Sequence, residues 1–477
     1  MAVGSSNSFD LIVLGAGTGG YTAAFRAGQL GLKVALVDAA KIGGTCLHSG
    51  CIPTKVMLET ADFYERMAHA ADFGIQLSGA PGIDYPQVTV RRQQVVDRLH
   101  KGLASLVKKN KVEFIQGWGT LQGGKKVKVN KLTADGQPDG EIVLEGTDVI
   151  LATGSRVKSL PGITPDGKHI VTSDDVLKST TLPKSIIVVG AGAVGVEFAS
   201  FYKDVGVEVT LLEYLPSVVP LEDADIGKEL ERSFSRRGIK VITSARFDPA
   251  SVTADEKGVC LMVGKEGEEP KELRAEQMLV ATGRALNTDT VGLDTTRAKV
   301  ERGLVKVDAR MRTAEPHLYA IGDIIGGLLL AHVAAHEGIA AVSAIVGAES
   351  EGVDYLKMPR ATYSRPQIAT IGRTQAECEK EGIPIKVGKV PFQAIAKALI
   401  GGEYEGFTKV IAHKDTDQIL GVHMIGPHVT DLIAEASAAM LFESTAWEIG
   451  ETVHPHPTLS EALGEAALAV DGRSINF

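Results

Sequence analysis

The sequence has few cysteines, no long hydrophobic run and no extended cluster of basic residues. Only four of the 477 residues are cysteine, and structural disulfides are uncommon in a reducing compartment. No apolar stretch is long enough to cross a bilayer, and the N-terminal residues lack the pattern of a secretory signal. A net charge of −9 without a Lys/Arg run disfavours nucleic acid as a partner. We therefore expect a cytoplasmic protein that binds neither membrane nor nucleic acid.

The composition indicates a globular protein of several domains. Hydrophobic residues make up 44% of the sequence, and 53 residues are glycine. Both values suit an α/β protein. A chain of this length predicts about three domains.

Two of the four cysteines lie close together in the segment GGTCLHSGCIPTK, residues 43–55. A bridge between Cys46 and Cys51 would close a very short loop and would stabilise the fold by only about 2 kcal/mol. Cys260 and Cys378 are solitary and distant, so the pattern does not match a zinc site. A redox-active pair is favoured over incidental thiols or a metal site.

The spacing of this pair also carries a structural prediction. On a regular helix the two side chains would point about 140° apart. A bridge between them therefore requires a distorted turn. Gly50 permits unusual backbone angles, and Pro53 suits the first turn of a following helix.

A glycine-rich turn follows the first apolar segment of the chain. Residues 10–14 predict a strand, and the run Gly15-Ala16-Gly17-Thr18-Gly19-Gly20 leads from it into a predicted helix. This G-x-G-x-x-G pattern is typical of a turn that brings a pyrophosphate to a helix N-terminus. A second predicted strand, residues 33–37, ends at Asp38, where a carboxylate can bind ribose hydroxyls.

The same pattern recurs later in the chain. Residues 186–189 lead into a second glycine turn that begins at Gly190, and a strand over residues 207–212 ends at Glu213. Each copy is completed by an apolar strand that ends in Ala-Thr-Gly, at Gly154 and Gly283. One such turn is a weak signal because many glycine turns only pack helices. Two complete copies predict an internal repeat of two dinucleotide-binding folds.

A redox-active thiol pair needs an electron partner, and a flavin can pass electrons between hydride and thiol chemistry. The thiol segment directly follows the first fold, which therefore should hold FAD, while the second should hold NAD. The predicted FAD residues are Gly15, Gly17, Gly20 and Asp38, and the predicted NAD residues are Gly190, Gly192, Gly195 and Glu213.

The segment GGTCLHSGCIPTK resembles the redox motif of the pyridine nucleotide–disulfide oxidoreductases. HPTLSE at residues 456–461 and YAIGD at residues 319–323 are also similar to motifs of this family, and the likeness spans essentially the whole chain. The runs 330–332 and 406–426 most resemble the members that oxidise dihydrolipoamide. His48, Thr54 and Leu286 replace the more usual Asn, Ser and Pro, but none of these departures removes a reacting group.

The resemblance implies an α/β fold with two Rossmann-like dinucleotide-binding domains, for FAD and NAD, and a C-terminal α+β dimerisation domain. We expect the FAD domain over residues 1–155, the NAD domain over 156–277, a return to the FAD or central domain over 278–350 and the dimerisation domain over 351–477. The sequence agrees, because no dinucleotide pattern follows residue 360. Residues 407–412 and 419–425 instead predict two strands around a polar turn.

The resemblance also implies roles for single residues. The substrate thiolate would attack Cys46, and Cys51 would face the flavin. Lys55 and Glu197 would lie beside the flavin, although both could also be solvated charges on helices. Further FAD contacts would come from Lys55, Thr153, Gly154, Asp323, Ala331 and His332, and further NAD contacts from Glu197 and Gly283.

A catalytic base is needed because a thiolate, not a thiol, attacks a disulfide. His456 is the expected base, and Glu461 would orient it. Two alternatives stay open. His454 faces the same side of an extended segment, and Thr458 with Glu461 also matches a capping box. The resemblance implies a homodimer in which His456 reaches the disulfide of the other subunit.

The expected reaction is oxidation of protein-bound dihydrolipoamide by NAD+. The implied partners are lipoyl-bearing protein domains, attached to a 2-oxoacid dehydrogenase core or to the glycine cleavage carrier protein. The absence of an arginine next to Glu213 favours NAD(H) over NADP(H), which in turn disfavours a glutathione reductase.

Other members of the resembled family are also disfavoured. The last cysteine is Cys378, whereas large thioredoxin reductases and mercuric reductases need further cysteines near the C-terminus. A non-catalytic role as a structural component of a multienzyme core is the alternative of a different class.

Overall fold

The computed structural model describes residues 7–349 and 351–477. The chain divides into two compact units. The first comprises Met1–Val56, Val90–Val157 and Arg284–Tyr355, and the second comprises Met57–Thr89, Lys158–Gly283 and Leu356–Phe477. Among the described residues, no helix combines the length and hydrophobicity needed to cross a bilayer. The four-part division expected from the sequence stays a prediction.

The first unit is built on a mainly parallel sheet. Its parallel strands run in the order Glu113–Leu121, Val34–Asp38, Ser8–Leu14, Pro138–Leu151 and Leu318–Ala320. Lys126–Leu132 pairs antiparallel with Glu113–Leu121 and with Pro138–Leu151. Leu11, Ile12 and Val13 are fully buried, as expected for a central strand covered on both faces. Two small antiparallel pairs complete this unit: Ser155–Val157 with Arg284–Leu286, and Val300–Glu301 with Leu304–Val305.

The second unit contains another parallel sheet. Its strand order is Lys240–Ile242, Glu208–Leu212, Ser185–Val189, Gln277–Val280 and Ile170–Val171. An antiparallel sheet of Arg246–Phe247, Thr253–Asp255, Gly258–Gly264 and Lys271–Ala275 follows in the same unit. The two predicted glycine turns therefore each leave the end of a central parallel strand, which is where ligands bind in such sheets.

The C-terminal part of the second unit is antiparallel. Its strands run in the order Arg360–Thr362, Gln367–Gly372, Ile419–Gly426, Phe407–His413 and Ile385–Pro391. The two strands predicted around a polar turn are confirmed by the pairing of Phe407–His413 with Ile419–Gly426. Val410 and Val422 are paired and fully buried, so this sheet has its own apolar core.

Helices cover the sheets, and several begin at side-chain caps. Asp223 accepts the Asp225 N–H at the start of Ala224–Arg236, and a Thr–Glu capping box starts Gln375–Glu381. The α-helices are Thr18–Gln29, Gly44–Ser49, Cys51–Ala68, Tyr85–Lys109, Ser173–Val176, Ala193–Asp204, Ala224–Arg236, Ala331–Ile345, Gln375–Glu381, Ala396–Gly401, Val429–Leu441, Ala446–Glu451 and Glu461–Ala469. Short 3₁₀ helices are Ala70–Phe73, Pro249–Ser251, Leu293–Thr295, Gly322–Ile325, Tyr355–Lys357 and Phe392–Ala394.

Candidate functional site

The first glycine turn joins the strand Ser8–Leu14 to the helix Thr18–Gln29. Gly15 has φ +104°, and a Cβ there would lie 2.1 Å from the Ala152 carbonyl oxygen, so the turn requires glycine. A Cβ at Gly20 would lie 1.8 Å from the carbonyl oxygen of Gly15. A Cβ at Gly17, by contrast, would meet nothing within 4 Å. The space in front of this helix N-terminus can therefore admit a pyrophosphate.

Asp38 connects the end of the second strand to the same turn. Its Oδ2 accepts the Ala16 N–H at 2.6 Å, and its Oδ1 accepts the Ala40 N–H at 2.8 Å. Burial raises the pKa of Asp38, and these two hydrogen bonds oppose the shift. A carboxylate has about four lone-pair sites, so lone pairs remain for ribose hydroxyls. The residues of this turn fit the predicted FAD.

The second glycine turn repeats this geometry. Gly190 has φ +102°, and a Cβ there would lie 2.5 Å from the Ala281 carbonyl oxygen. A Cβ at Gly195 would lie 1.8 Å from the Gly190 carbonyl oxygen, whereas one at Gly192 would meet nothing within 4 Å. The predicted repeat is therefore confirmed at the level of backbone contacts.

Glu213 plays the same part in the second turn that Asp38 plays in the first. Its Oε2 accepts the Ala191 N–H at 2.7 Å, and its Oε1 accepts the Leu215 N–H at 2.8 Å. A Cβ at Gly283, which follows the strand Gln277–Val280, would meet nothing within 4 Å. The second turn thus fits a dinucleotide with a ribose to bind, as predicted for NAD.

The thiol segment packs directly on the first glycine turn. A Cβ at Gly44 would lie 2.6 Å from the Gly17 Cα, and the Gly43 N–H donates to the Ala16 carbonyl at 2.9 Å. The Cys46 side chain also hydrogen-bonds with Thr18, the first residue of the helix Thr18–Gln29. The thiols and the predicted FAD turn therefore form one continuous site.

The predicted distortion between the two cysteines is confirmed. Cys46 lies in the helix Gly44–Ser49, which ends at Gly50 with φ −145° and ψ −114°, and a new helix begins at Cys51. The side chains of the two residues are close enough to hydrogen-bond to each other. This hydrogen bond, followed by burial, raises the pKa of Cys46, while Lys55 and Thr18 oppose the shift.

His48, which departs from the usual residue of the motif, has a defined environment. Its Nε2 lies 2.9 Å from the Ile42 carbonyl oxygen, and Nδ1 of His100 lies 3.2 Å from the same oxygen. The two rings meet edge to face at 5.5 Å. Burial lowers the pKa of His48. His48 therefore anchors the segment before the thiols.

The first Ala-Thr-Gly run is held by a partner from the other end of the first unit. Thr153 Oγ1 donates to the Asn287 carbonyl at 2.8 Å, and Asn287 Nδ2 donates to the Thr153 carbonyl at 2.9 Å. A Cβ at Gly154 would meet nothing within 4 Å. Thr153 and Gly154 thus lie beside the strand end that closes the first glycine turn.

Asp323 is anchored by two residues that the sequence did not identify. Ser155 Oγ donates to Asp323 Oδ2, and Arg284 donates through Nε to Ser155 Oγ at 2.5 Å and through Nη2 to the Ser155 carbonyl at 2.7 Å. Arg284 Nε also lies 3.8 Å from Asp323 Oδ2. Ser155 and Arg284 each directly follow an Ala-Thr-Gly run. That position in the sequence is the signal that could have identified them.

The helix Ala331–Ile345 starts at two predicted FAD contacts, Ala331 and His332. The same helix carries Glu337, which the sequence did not identify. Glu337 accepts the Gly322 N–H at 2.6 Å and the Tyr355 hydroxyl at 2.9 Å. Burial raises the pKa of Glu337 to about 7. This carboxyl fixes the turn that presents Asp323.

Lys55 and Glu197 belong to different compact units. Lys55 lies one turn after Cys51 in the helix Cys51–Ala68, close enough for its charge to act on Cys46. Glu197 is buried in the helix Ala193–Asp204 and accepts the Tyr363 N–H at 2.9 Å. The interpretation of Glu197 as a solvated charge is therefore wrong.

His456 and Glu461 are brought together by the loop before the helix Glu461–Ala469. His456 Nδ1 lies 2.9 Å from Glu461 Oε1, and Glu461 Oε2 accepts the Thr458 N–H at 2.8 Å. Thr458 Oγ1 donates to the Pro455 carbonyl, so only half of the capping box forms. Burial raises the pKa of Glu461, but the hydrogen bonds from His456 and Thr458 outweigh it and hold the pKa below its ordinary value.

His454, the alternative candidate for the base, has a different environment. His454 Nε2 lies 2.7 Å from Glu435 Oε1, and its side chain is only 10% exposed, against 73% for His456. The hydrogen bond to Glu435 raises the pKa of His454. Of these two histidines, His456 presents the accessible ring.

An arginine contacts Tyr214, the residue after the predicted ribose carboxylate Glu213, although no arginine is adjacent to Glu213 in sequence. The Arg246 guanidinium stacks on the Tyr214 ring at 3.7 Å, and its Nη1 donates to the Tyr214 carbonyl at 2.7 Å. Tyr214 directly follows Glu213. The sequence did not identify Arg246 because backbone hydrogen bonds between distant segments, not adjacency in the chain, bring it to Tyr214.

Comparison with known proteins identifies the family of this chain. The family described as pyridine nucleotide-disulphide oxidoreductase matches residues 9–338, and its dimerisation domain matches residues 358–467. A dihydrolipoyl dehydrogenase of Bacillus subtilis is 46% identical over 475 residues, covering 99% of this chain and 100% of the relative. One from Zymomonas mobilis is 42% identical over 474 residues, with coverages of 99% and 100%.

Solved structures show the same similarity. LpdA from Mycobacterium tuberculosis matches with a TM-score of 0.88 at 28% identity, covering 96% of this chain and 98% of that one. These matches confirm the predicted fold class, the NAD-dependent disulfide oxidoreductase class and the cofactors FAD and NAD. The matched dimerisation domain supports a homodimer. The chain belongs to the pyridine nucleotide-disulphide oxidoreductase family.

Proposed function

We propose that this protein oxidises protein-bound dihydrolipoamide to lipoamide and reduces NAD+ in the cytoplasm. The observation that carries the proposal is the packing of the thiol segment on the first glycine turn, where Gly44 abuts Gly17. The names of the relatives, dihydrolipoyl dehydrogenases, supply the substrate class. Its partners are lipoyl-bearing domains of a 2-oxoacid dehydrogenase core or the glycine cleavage carrier protein.

The cofactors are assigned to the two glycine turns. When bound, FAD supplies two-electron transfer between the thiol pair and the nicotinamide of NAD. The residues that would hold FAD are Gly15, Gly17, Gly20, Asp38, Lys55, Thr153, Gly154, Asp323, Ala331 and His332. Those that would hold NAD are Gly190, Gly192, Gly195, Glu197, Glu213 and Gly283.

The thiol exchange proceeds in two attacks. His456 removes a proton from one substrate thiol, and the thiolate attacks the sulfur of Cys46 in the oxidised pair. A substrate–Cys46 disulfide forms, the Cys46–Cys51 bond breaks, and Cys51 leaves as a thiolate. The second substrate thiol then gives up its proton and attacks the substrate sulfur of this mixed disulfide, and the substrate–Cys46 bond breaks. Lipoamide is released, Cys46 takes up that second proton, and His456 retains the first.

The environment of Cys46 supports the need for a base. The hydrogen bond with Cys51 and burial both raise the pKa of Cys46, so this thiol does not lose its proton readily. A buried thiol with a raised pKa also needs a base to exchange its proton. Glu461, hydrogen-bonded to His456 Nδ1, leaves Nε2 for that exchange.

Oxidation of dihydrolipoamide by purified, FAD-loaded protein with NAD+ is the direct test. Turnover of a lipoyl domain and of the glycine cleavage carrier protein, measured side by side, identifies the partner. A protein that reduces ferricyanide with NADH but turns over no dihydrolipoamide would reject the substrate and keep the family.

Each active site further requires both subunits of the dimer, because the exposed His456 acts on the thiol pair of the partner subunit. Inactive Cys46→Ser and His456→Ala subunits are dissociated, mixed and reassociated. Half of the dimers are then mixed, and each carries one complete site, so activity should return to about a quarter of wild type. No recovery from verified mixed dimers would place His456 in its own subunit's site or outside catalysis.

A further inference from the structure

Two short segments of the second unit are paired beside Glu213. The Ala245 N–H donates to the Glu213 carbonyl at 2.8 Å, and the Ser244 N–H donates to the Leu215 carbonyl at 2.9 Å. Arg246 comes next in the chain and begins the strand Arg246–Phe247. Backbone pairing therefore fixes Arg246 alongside the residues that follow the ribose carboxylate.

The side chain of Arg246 is held by two carbonyl oxygens and by a tyrosine ring. Its Nη1 donates to the Tyr214 and Ala245 carbonyls, at 2.7 and 3.0 Å, and its guanidinium lies 3.7 Å from the centroid of the Tyr214 ring. Tyr214 is 66% exposed, so this stack borders solvent. A planar guanidinium held in this way is well suited to bind phosphate.

The negative charge of Glu213 disfavours binding of a phosphate at Arg246. Glu213 is 8% exposed, and its carboxylate accepts the N–H groups of Ala191 in the glycine turn and of Leu215. A buried negative charge at the ribose position repels a 2′-phosphate, whereas it accepts hydrogen bonds from a 2′-hydroxyl. The same small region thus contains one group that selects against a 2′-phosphate and one that attracts it.

We propose that Arg246 is a latent 2′-phosphate site of the nicotinamide nucleotide, and that Glu213 suppresses it. Nucleotide choice is then set by the pair of residues and not by Glu213 alone. The inference rests on the proposed assignment of NAD to the second glycine turn. It predicts that removal of the carboxylate alone creates NADP(H) binding, without any introduced arginine.

Binding of ADP-ribose and of 2′-phospho-ADP-ribose to FAD-loaded protein, measured by calorimetry, tests the proposal without the thiol reaction. Glu213→Ala should bind the 2′-phosphorylated ligand about tenfold to a hundredfold more tightly than wild type, the range for charge-assisted hydrogen bonds. Glu213→Ala/Arg246→Gln should lose this gain. Glu213→Ala/Arg246→Lys should keep part of it, because lysine binds phosphate as a point charge.

A matched control uses another arginine of the same antiparallel sheet. Arg274 is 40% exposed and pairs with Asp255 at 3.0 Å. Glu213→Ala/Arg274→Gln changes the net charge equally and should keep the full gain. Raised salt should weaken binding of the 2′-phosphorylated ligand more than binding of ADP-ribose.

Two outcomes separate this inference from the proposed function. Equal binding of the 2′-phosphorylated ligand by Glu213→Ala with and without Arg246 would overturn the role of Arg246 and leave the NAD site intact. Wild-type protein that binds neither ligand would reject the NAD site itself. If Glu213→Ala does not fold, Glu213→Gln, which retains an oxygen for the Ala191 N–H, carries the same comparison.

Discussion

His456 Nδ1 and Glu461 Oε1 lie 2.9 Å apart, and the second oxygen of the same carboxylate holds the Thr458 N–H at 2.8 Å. Glu461 is therefore fixed by the backbone before it orients the imidazole. The lowered pKa of Glu461 keeps the carboxylate charged at neutral pH. In the proposed mechanism, Nε2 of His456 then exchanges a proton with a thiol.

Replacement of this base should remove the thiol step and spare the flavin step. We expect His456→Ala to lower kcat for dihydrolipoamide oxidation by about 100-fold or more, the scale for loss of a general base. NADH–ferricyanide activity should persist because it bypasses the thiols. His69→Ala removes a comparably exposed histidine (62% against 73%) and should leave both activities unchanged. Equal losses in the two assays would argue for a folding defect.

The two cysteines should differ in their spectra. If Cys51 faces the flavin, Cys46→Ser leaves Cys51 as a permanent thiolate, so the oxidised holoenzyme should show long-wavelength absorbance without reductant. Cys51→Ser should lack this band. Both variants should retain FAD and lose dihydrolipoamide oxidation, whereas Cys260→Ser should retain both. The reverse spectral pattern would exchange the roles of the two thiols.

A buried ion pair in the second unit should be important for stability. Lys409 Nζ lies 2.9 Å from Asp223 Oδ1, and these side chains are only 3% and 2% exposed. Lys409→Met leaves a buried carboxylate without its cation and should cost about 3–5 kcal/mol. Lys306→Met breaks a pair with Glu301 whose side chains are 55% and 64% exposed and should cost less than about 1 kcal/mol. Thermal unfolding of FAD-loaded protein compares the two, and similar losses would contradict the expected effect of burial.

A second buried group predicts loss of stability in acid. His423 is fully buried, and burial lowers its pKa despite the nearby charge of Asp223. Glu222 also favours the proton, whereas Arg360 opposes it. The unfolded chain therefore binds this proton at higher pH than the folded protein does. Stability should fall as pH drops below about 6.5.

The size of this acid effect is bounded. One proton contributes up to about 1.4 kcal/mol of unfolding free energy per pH unit. In thermal unfolding between pH 7 and pH 5, His423→Gln should show a shallower decline than wild type. An unchanged slope in the variant would assign acid sensitivity to other groups.

The parts of the fold that depend on local sequence were predictable. The glycine turns, their carboxylates and the break at Gly50 follow from residues within a single strand–turn–helix unit. Burial was not predictable from these patterns, and it is burial that distinguishes His454 from His456 and shows that Glu197 is not a solvated charge.

The residues that the sequence did not identify are held by contacts between distant segments. Ser155 and Arg284 meet across an antiparallel strand pair, and Arg246 reaches Tyr214 through pairing of segments far apart in the chain. Such contacts depend on register, which a local pattern does not specify. Asp323 was predicted from its motif, but its hydrogen-bond partners could only be found in the folded chain.

The contact of Gly44 with Gly17 has a consequence for how this chain can vary. A Cβ at Gly44 would lie 2.6 Å from the Gly17 Cα, so main-chain atoms alone set the separation between the thiol helix and the glycine turn. Side chains elsewhere in the motif can then change without altering this separation. His48 and Thr54 are two such changes, and neither residue takes part in that contact. The backbone therefore fixes how the thiol helix sits on the glycine turn, and the surrounding side chains are open to variation.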